Sequence, residues 1–322
     1  MMVIKMKTKI LAFLLVVLMC MTLASCGEKH VMNIGTVKIE YDEYRYYLLN
    51  NKRDSFPDTE TLTEEQISEL KSLTEENAKY SAAIEILAER YNAELTEEDN
   101  AQVDAYIAAY KAEECYNDEE AYKSSLESYY MTEALFKELQ SQTLLAYRTM
   151  DKMVEAGDIK TDGAAIDSLM AGDELLCIKE IYFNNPGEET KEYVYNRAVE
   201  AYTAIVNGGD FTEIMRKYSS YNEAEMSPEH GYYTTEYEMP EYIWQTAISL
   251  NDGEISEIIE SEYGYHIVMR CEKDSEYMEE KREDITERYI SAMYTKALYE
   301  TIESLEVEYT SYGKRLKIDT IS

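Results

Sequence analysis

Cysteine and histidine are scarce in this sequence, which contains five cysteines and three histidines among 322 residues. After Cys20 and Cys26 near the N-terminus, only Cys115, Cys177 and Cys271 remain, an odd number without the short spacings of metal ligands. The histidines are too dispersed to complete a zinc site by the ordinary ligand rules. The sequence therefore excludes a disulfide framework, and we expect neither a metal nor a cofactor.

Proline and glycine are absent between Leu62 and Ala156. Over this stretch apolar residues recur at the three- and four-residue spacing of an amphipathic helix, as in AAIEILAERY at residues 82–91. The pattern predicts an all-helical region with few interruptions. It lacks the alternating strands and helices of a two-lobed α/β protein, which argues against a solute-binding lipoprotein.

Basic residues are outnumbered by acidic residues, 31 to 65. Three of the lysines lie in the first 25 residues, and without them 28 basic residues face the same 65 acidic ones, a net charge of −37. Such a surface repels both nucleic-acid phosphates and anionic lipid headgroups. Nucleic-acid binding is therefore excluded as a function, and any attachment to a membrane must be covalent.

The apolar run near the N-terminus is too short for a permanent membrane span. It covers 14 residues, from Ile10 to Leu23, whereas a helix needs about 20 to cross the hydrocarbon layer. Three lysines precede the run and the sequence Leu-Ala-Ser-Cys follows it, the order of a bacterial lipoprotein signal. We predict that residues 1–25 are removed and that Cys26 carries the lipid anchor. The alternative is an ordinary signal peptide with a cysteine at its cleavage site.

The pattern changes after Gly172, where strands and helices alternate over about a hundred residues. Alternation predicts a strand at 174–185, after which two amphipathic helices follow, the second capped by Asp210. Pro240 is expected to open a short third helix. Two further strands are predicted at 254–259 and 263–271, then one long charged helix at 274–305 and a closing strand at 315–321.

This order of elements, with YGYHIV in the final strand and LNDGEIS in the turn before it, resembles the parvulin family of peptidyl-prolyl isomerases. The helical flanks and the lipoprotein signal make the whole chain similar to PrsA-type extracytoplasmic foldase lipoproteins and their SurA relatives. The resemblance implies an α+β fold: a mainly helical chaperone module, from which an inserted parvulin-like domain with a four-stranded antiparallel sheet flanked by helices projects.

The same resemblance implies the domain boundaries. The expected segments are a signal peptide at 1–25, a helical chaperone region at 26–173, a parvulin-like domain at 174–273, and a C-terminal helix and tail at 274–322. The last segment is expected to pack back on the N-terminal region.

Members of the family place two histidines on neighbouring central strands, with an aspartate or cysteine nearby. His266 matches the second histidine, whereas Glu180 in CIKEIYF falls where the first is expected. The acidic or thiol position falls near Ser220 or Tyr221, and we assign it to Tyr221. The resemblance thus implies a catalytic set of His266, Glu180 and Tyr221, with no covalent nucleophile.

The family's proline-binding pocket maps onto residues that are mostly aromatic here. The expected substrate-binding residues are Met239, Tyr242, Tyr232, Tyr233, Ser261 and Tyr263. Tyr232 and Tyr233 follow Gly231 in the place of the family's aromatic pair. These departures affect catalysis more than binding, because the pocket keeps its shape while a carboxylate replaces a histidine.

Alternation along the strands predicts which side chains share a face. His266 and Glu180 should meet across adjacent strands as a carboxylate and an imidazolium. Cys177 and Cys271 should be neighbours on the other, buried face, either as packed thiols or as a disulfide. The alternative for His266 is a hydrogen-bonded core residue without a catalytic part.

The sequence is therefore interpreted as a lipid-anchored foldase on the extracytoplasmic face of a bacterial membrane, a prolyl isomerase that acts on unfolded or secreted client polypeptides. A homodimer is compatible with it. The leading alternative is a holdase-type chaperone with a catalytically silent parvulin domain. The 31 tyrosines would suit promiscuous binding of unfolded segments, although they can equally replace phenylalanine in cores, since phenylalanine occurs only five times.

Overall fold

The structure is a computed structural model that describes residues 30–321 except 58, 60, 186, 188–189, 223–226 and 319–320. It divides into two compact units, one formed by residues up to Thr149 together with those from Glu300, and one by Met150–Tyr299. The predicted signal peptide and Cys26 lie outside the described residues. Among the described helices, none combines the length and apolar character needed to cross a bilayer.

The first unit is mainly helical, as the sequence predicts. Two of its helices begin at capping boxes, in which Thr63 pairs with Gln66 and Thr96 pairs with Asp99. In chain order the elements from the N-terminus are β1 Met32–Ile34, β2 Val37–Ile39, α1 Tyr41–Ser55, α2 Glu64–Tyr91, α3 Glu97–Glu113, α4 Glu119–Ser128 and α5 Glu133–Ala156.

A small antiparallel sheet completes this unit. β1 and β2 form a hairpin at Gly35, whose φ of +57° suits glycine. The other edge of β1 pairs with β7, Val307–Tyr309. The prediction of a closing strand at 315–321 is wrong, since the described part of that segment contains no strand. The strand forms earlier because Val307 and Tyr309 alternate onto the hydrophobic core.

The second unit contains a four-stranded antiparallel sheet in the order β4-β3-β6-β5. This arrangement confirms the predicted fold class. The remaining elements in chain order are α6 Gly163–Ala171, β3 Leu176–Asn184, α7 Lys191–Val206, α8 Phe211–Tyr218, β4 Tyr232–Thr234, α9 Glu241–Ser249, β5 Ile259–Ser261, β6 Gly264–Cys271, α10 Ser275–Glu280 and α11 Arg282–Glu303.

The two faces of this sheet are covered differently. On one face Ile181 and Ile267 pack with apolar residues of α7 and α8. On the other face Ile178 and Val268 pack against Trp244 of α9. Because α9 is short, it covers only part of its face, and polar residues of β3 and β6 follow beyond it.

Two boundaries differ from the sequence prediction. Of the strand expected at 254–259, only an isolated bridge at Ile255 and the first residue of β5, Ile259, are present. Between them the Ser256 hydroxyl accepts a hydrogen bond from Val268 N at 2.9 Å in place of the strand pairing. The long helix expected at 274–305 is divided into α10 and α11. Lys281 leaves helical geometry between them, with φ −97° and ψ 11°.

Candidate active site

The two central strands of the second unit bring Glu180 and His266 together. In the antiparallel register of β3 and β6, Glu180 lies opposite Val268 and Tyr182 lies opposite His266, so these side chains project from one face. The Nδ1 atom of His266 lies 2.6 Å from Oε1 of Glu180. The imidazole is buried, whereas one fifth of the Glu180 side chain remains exposed. The predicted pairing is therefore present in the structure.

His266 has a second hydrogen-bonding partner on its other side. Its Nε2 atom lies 2.7 Å from Oγ of Ser261, on the neighbouring strand β5. The tight turn between β5 and β6 depends on Gly264, which has φ +144° and would overlap the Phe183 carbonyl oxygen if it carried a Cβ atom. Glu180, His266 and Ser261 thus form one continuous hydrogen-bonded chain.

Aromatic rings enclose the imidazole. Tyr182 stacks on His266 with ring centroids 5.1 Å apart, and Tyr242 lies 5.6 Å away at a steeper angle. Tyr221 packs in turn against Tyr182 at 5.0 Å. The Tyr182 hydroxyl donates to the carbonyl oxygen of Tyr263 at 3.0 Å, and burial raises the pKa of this phenol, with Tyr242 and Glu180 acting in the same direction. The Tyr182 hydroxyl therefore stays protonated and acts as a hydrogen-bond donor at neutral pH.

A cleft of about 350 Å³ opens beside this network. Five predicted site residues other than Glu180 and His266 line it: Tyr221, Tyr232, Met239, Tyr242 and Tyr263. Pro240, which opens α9, also lies in the wall. The cleft therefore combines a mostly apolar and aromatic wall with two carboxyl groups, Glu180 and Glu238, and one imidazole group.

Two predicted substrate-binding residues do not line the cleft. Ser261 contacts His266 instead. Tyr233 projects from the opposite side of β4 to Tyr232, because successive strand residues alternate. It lies in the core beside Cys177, and its hydroxyl accepts a hydrogen bond from Asp274 N at 2.8 Å.

Five cleft residues were missed as site residues from the sequence: Ile178, Tyr182, Glu238, Pro240 and Ile243. Tyr182 and Ile178 lie two residues either side of Glu180, so strand alternation carried the signal that would have found them. Glu238 had a local signal of another kind, because Thr235, three residues earlier, donates to its carboxylate from the backbone N–H at 2.7 Å and from the hydroxyl at 2.9 Å. The Arg288 guanidinium donates to Glu238 at 2.9 Å and to the Tyr233 carbonyl oxygen at 2.6 Å.

Cys177 and Cys271 also lie where alternation predicted. They pair directly across β3 and β6, on the face opposite Glu180 and His266. Both are free thiols in the structure.

Comparison with protein families matches residues 176–272 to the PPIC-type PPIase domain, also described as rotamase. Residues 176–272 form a parvulin-type domain. The resemblance inferred from the sequence is thereby confirmed for this part of the chain. Glu180, His266, Ser261 and all the cleft-lining residues lie within these bounds.

Two curated relatives are similar to part of the chain. The foldase protein PrsA of Bacillus subtilis (strain 168) is 26% identical over 130 residues, which cover 39% of this chain and 44% of the relative. The chaperone SurA of Burkholderia orbicola is 30% identical over 121 residues, which cover 36% of this chain and 26% of the relative. The chain thus matches less than half the length of either protein.

Solved structures of similar proteins include the foldase protein PrsA from Streptococcus pneumoniae. That protein is 18% identical, with 85% of this chain and 92% of that chain covered and a TM-score of 0.36.

The hydrogen-bonded chain of Glu180, His266 and Ser261 can satisfy its hydrogen bonds in either protonation state of His266. With a neutral ring, Nδ1–H donates to Glu180 and Ser261 donates to Nε2. With a charged ring, both nitrogens donate, and the Ser261 hydroxyl can donate to the Gly264 carbonyl oxygen at 3.3 Å. The network therefore needs no rearrangement of heavy atoms when a proton is gained or lost.

Proposed function

We propose that this protein is a lipid-anchored extracytoplasmic foldase whose parvulin domain catalyses cis-trans isomerisation of peptidyl-prolyl bonds in secreted or unfolded polypeptides. The cleft beside the Glu180–His266–Ser261 chain is the observation that carries the proposal. In this proposal residues 1–25 are the signal peptide, Cys26 is the lipid attachment site, and 26–173, 174–273 and 274–322 are the chaperone region, the parvulin domain and the returning C-terminal segment.

The reaction requires no bond to the enzyme. The barrier to rotation about a peptide bond is about 18–20 kcal/mol because the amide is conjugated. An apolar cavity favours the twisted amide, in which this conjugation and its charge separation are reduced. Met239, Tyr242 and Ile243 offer such an environment for the proline ring, while Pro240 and Tyr232 border it.

In this mechanism His266 and Glu180 lie beside the amide that is twisted. Ser261 fixes the imidazole from one side and Glu180 from the other, so the ring is held without a conformational cost during the reaction. Tyr182 and Tyr221 exclude water from the ring face. The roles of His266, Glu180 and Tyr221 are catalytic in this proposal, and those of Met239, Tyr242, Tyr232 and Tyr263 are substrate binding.

A second candidate function is a holdase whose parvulin domain binds proline segments without isomerising them. The observation that favours it is Glu180, a carboxylate where the family resemblance expects a histidine. Under this alternative the cleft still accepts a proline ring, but the hydrogen-bonded chain of Glu180, His266 and Ser261 does not catalyse the rotation.

An isomerisation assay separates the two functions. The protein without residues 1–26 is mixed with a short proline peptide, and the cis-to-trans rate is compared with that of His266→Ala and of Ser249→Ala, an exposed control on α9. Isomerase function predicts that His266→Ala reduces kcat/KM by about tenfold or more while Ser249→Ala leaves it unchanged.

Glu180→His, which restores the histidine expected at this position, sharpens the assay. We expect it to keep or increase the activity. Absence of isomerisation by the wild-type protein, together with suppressed aggregation of an unfolded client, would establish the holdase instead.

A further inference from the structure

The face of the parvulin sheet opposite the cleft carries two cysteines in direct register. Cys177 of β3 lies opposite Cys271 of β6, and the two thiol groups interact with each other. Residues directly opposite in an antiparallel pair have Cα atoms about 4.5–5.5 Å apart. That separation falls within the roughly 4.4–6.8 Å that a disulfide requires, so the strands need not move for the two sulfurs to bond.

The two thiols differ in their surroundings. Cys177 is buried beneath β4, where its Sγ atom donates to the His230 carbonyl oxygen at 3.2 Å. Cys271 is half-buried and lines a separate surface cleft of about 340 Å³ together with Lys179 and His230. A small reagent can therefore reach Cys271 from solvent, whereas it meets the backbone of β4 before Cys177.

Electrostatics favours the same thiol. The hydrogen bond from Cys177 lowers the pKa of Cys271, and the charge of Lys179 acts in the same direction. The interaction with Cys271 and burial both raise the pKa of Cys177. Since the thiolate is the reactive form of cysteine, Cys271 is the attacking group and Cys177 is the one that follows.

We propose that Cys177 and Cys271 form a reversible redox pair, a modification site distinct from the prolyl-isomerase cleft, that is oxidised by small-molecule disulfides. The Cys271 thiolate attacks one sulfur of the oxidant, forms a mixed disulfide and releases one thiolate. Cys177, once deprotonated, attacks the Cys271 sulfur and displaces the second thiolate. One oxidant disulfide is thereby reduced to two thiols, and the two cysteines are oxidised to one disulfide.

The bond would join the two strands that carry Glu180 and His266, from the face that those residues do not occupy. It closes a chain segment of nearly a hundred residues, from 177 to 271. Closing so long a loop restricts the unfolded state strongly. The oxidised protein should therefore unfold at a higher temperature, by about 5–10 °C, while the prolyl-isomerase cleft keeps its geometry.

The test uses the full chain in detergent, treated with hydroxyethyl disulfide, an uncharged oxidant that this acidic protein does not repel. After blocking of free thiols and digestion with trypsin without reductant, Cys177 lies in peptide 161–179, Cys271 in 271–273 and Cys115 in 112–123. We expect a linked 161–179/271–273 species that disappears with reductant, while the Cys115 peptide stays in its thiol-blocked form.

Single variants test the order of attack. Cys177→Ser should accumulate a mixed disulfide on Cys271, and Cys271→Ser should leave Cys177 unmodified. Cys115→Ser is the matched control and should behave as the wild type. An adduct that remains on Cys271 of the wild type, or a linked species that appears only in urea, would overturn the proposal.

Discussion

The helical unit and the parvulin domain each hold a glutamate in a hydrogen-bonded network, and the two side chains have different partners. Glu43 of α1 is 6% exposed, and its Oε1 atom accepts hydrogen bonds from the neutral hydroxyls of Ser81 at 2.7 Å and Tyr47 at 3.2 Å. Glu180 meets an imidazole, a partner that can itself carry a positive charge, and its side chain still reaches a solvent-filled cleft.

The electrostatic surroundings of Glu43 make the difference larger. Burial raises its pKa to about 7, against the hydrogen bond from Ser81, and the carboxylates of Glu138 and Glu85 raise it further. A buried carboxyl group that has only neutral donors and negative neighbours keeps its proton. The helical unit therefore contains a core acid that responds to pH, whereas the glutamate of the parvulin domain lines an open cleft.

The largest expected effect is a dependence of stability on pH that Glu43→Gln removes. Because the folded-state pKa of about 7 lies above the ordinary 4.5, the contribution of Glu43 is full below about pH 4.5 and is lost as the pH rises to about 7. Urea unfolding of the wild type and of Glu43→Gln should give free energies whose difference changes by about 2–3 kcal/mol between pH 5 and pH 8.

Ser72→Ala, an uncharged change at an exposed position of α2, provides the control for this measurement. Its difference from the wild type should be the same at pH 5 and pH 8. Parallel curves for the wild type and Glu43→Gln would show that folding does not raise the pKa of Glu43, and the comparison between the two glutamates would fail.

A smaller effect is expected when the donor to Glu43 is removed. Ser81 donates to Glu43 and accepts a hydrogen bond from the Gln142 amide at 2.8 Å, so Ser81→Ala leaves two buried groups with fewer partners. We expect a loss of about 1–2 kcal/mol in the free energy of unfolding, measured at pH 5. Ser72→Ala, at an exposed position of the same helix, should cost little, and equal losses in the two variants would contradict the buried network.

The two glutamates also show what the sequence could and could not predict. Glu180 was found because a family motif identifies His266, and strand alternation places Glu180 on the same face of the neighbouring strand. Glu43 carried no signal, since helical spacing predicts which face of α1 is buried but does not give the partners from α2 and α5. Its raised pKa depends on burial and on the carboxylates of Glu138 and Glu85, which are far from it in the sequence.

The distinction between local sequence signals and contacts that are distant in the sequence holds elsewhere in the fold. A helix with a capping residue, such as the one after Asp210, was located well because its signal is local. The closing strand was misplaced, because β7 forms where Val307 and Tyr309 meet β1, a pairing between the two ends of the chain.

The parvulin domain offers a matched experiment to Ser81→Ala. Ser261→Ala removes the hydroxyl that contacts Nε2 of His266. Ser261 is only half-buried, so water can replace the lost hydrogen-bonding partner. We expect a loss of about 0.5–1 kcal/mol in stability and a several-fold decrease in isomerase kcat/KM. A stability loss equal to that of Ser81→Ala would show that the hydrogen-bonded chain of Glu180, His266 and Ser261 serves the stability of the core rather than a functional site.

The smallest stability effect is expected for Glu180→Gln, which keeps an oxygen acceptor for the imidazole Nδ1 and removes the charge. Partial exposure screens the interaction of Glu180 with His266, so the free energy of unfolding at pH 7 should change by less than about 1 kcal/mol. Because the stability changes little, a change in the isomerase kcat/KM of Glu180→Gln then reflects the loss of the negative charge alone. If Glu180→Gln destabilised the domain by as much as Ser81→Ala destabilises the helical unit, both glutamates would serve stability, and the difference between core and site would not hold.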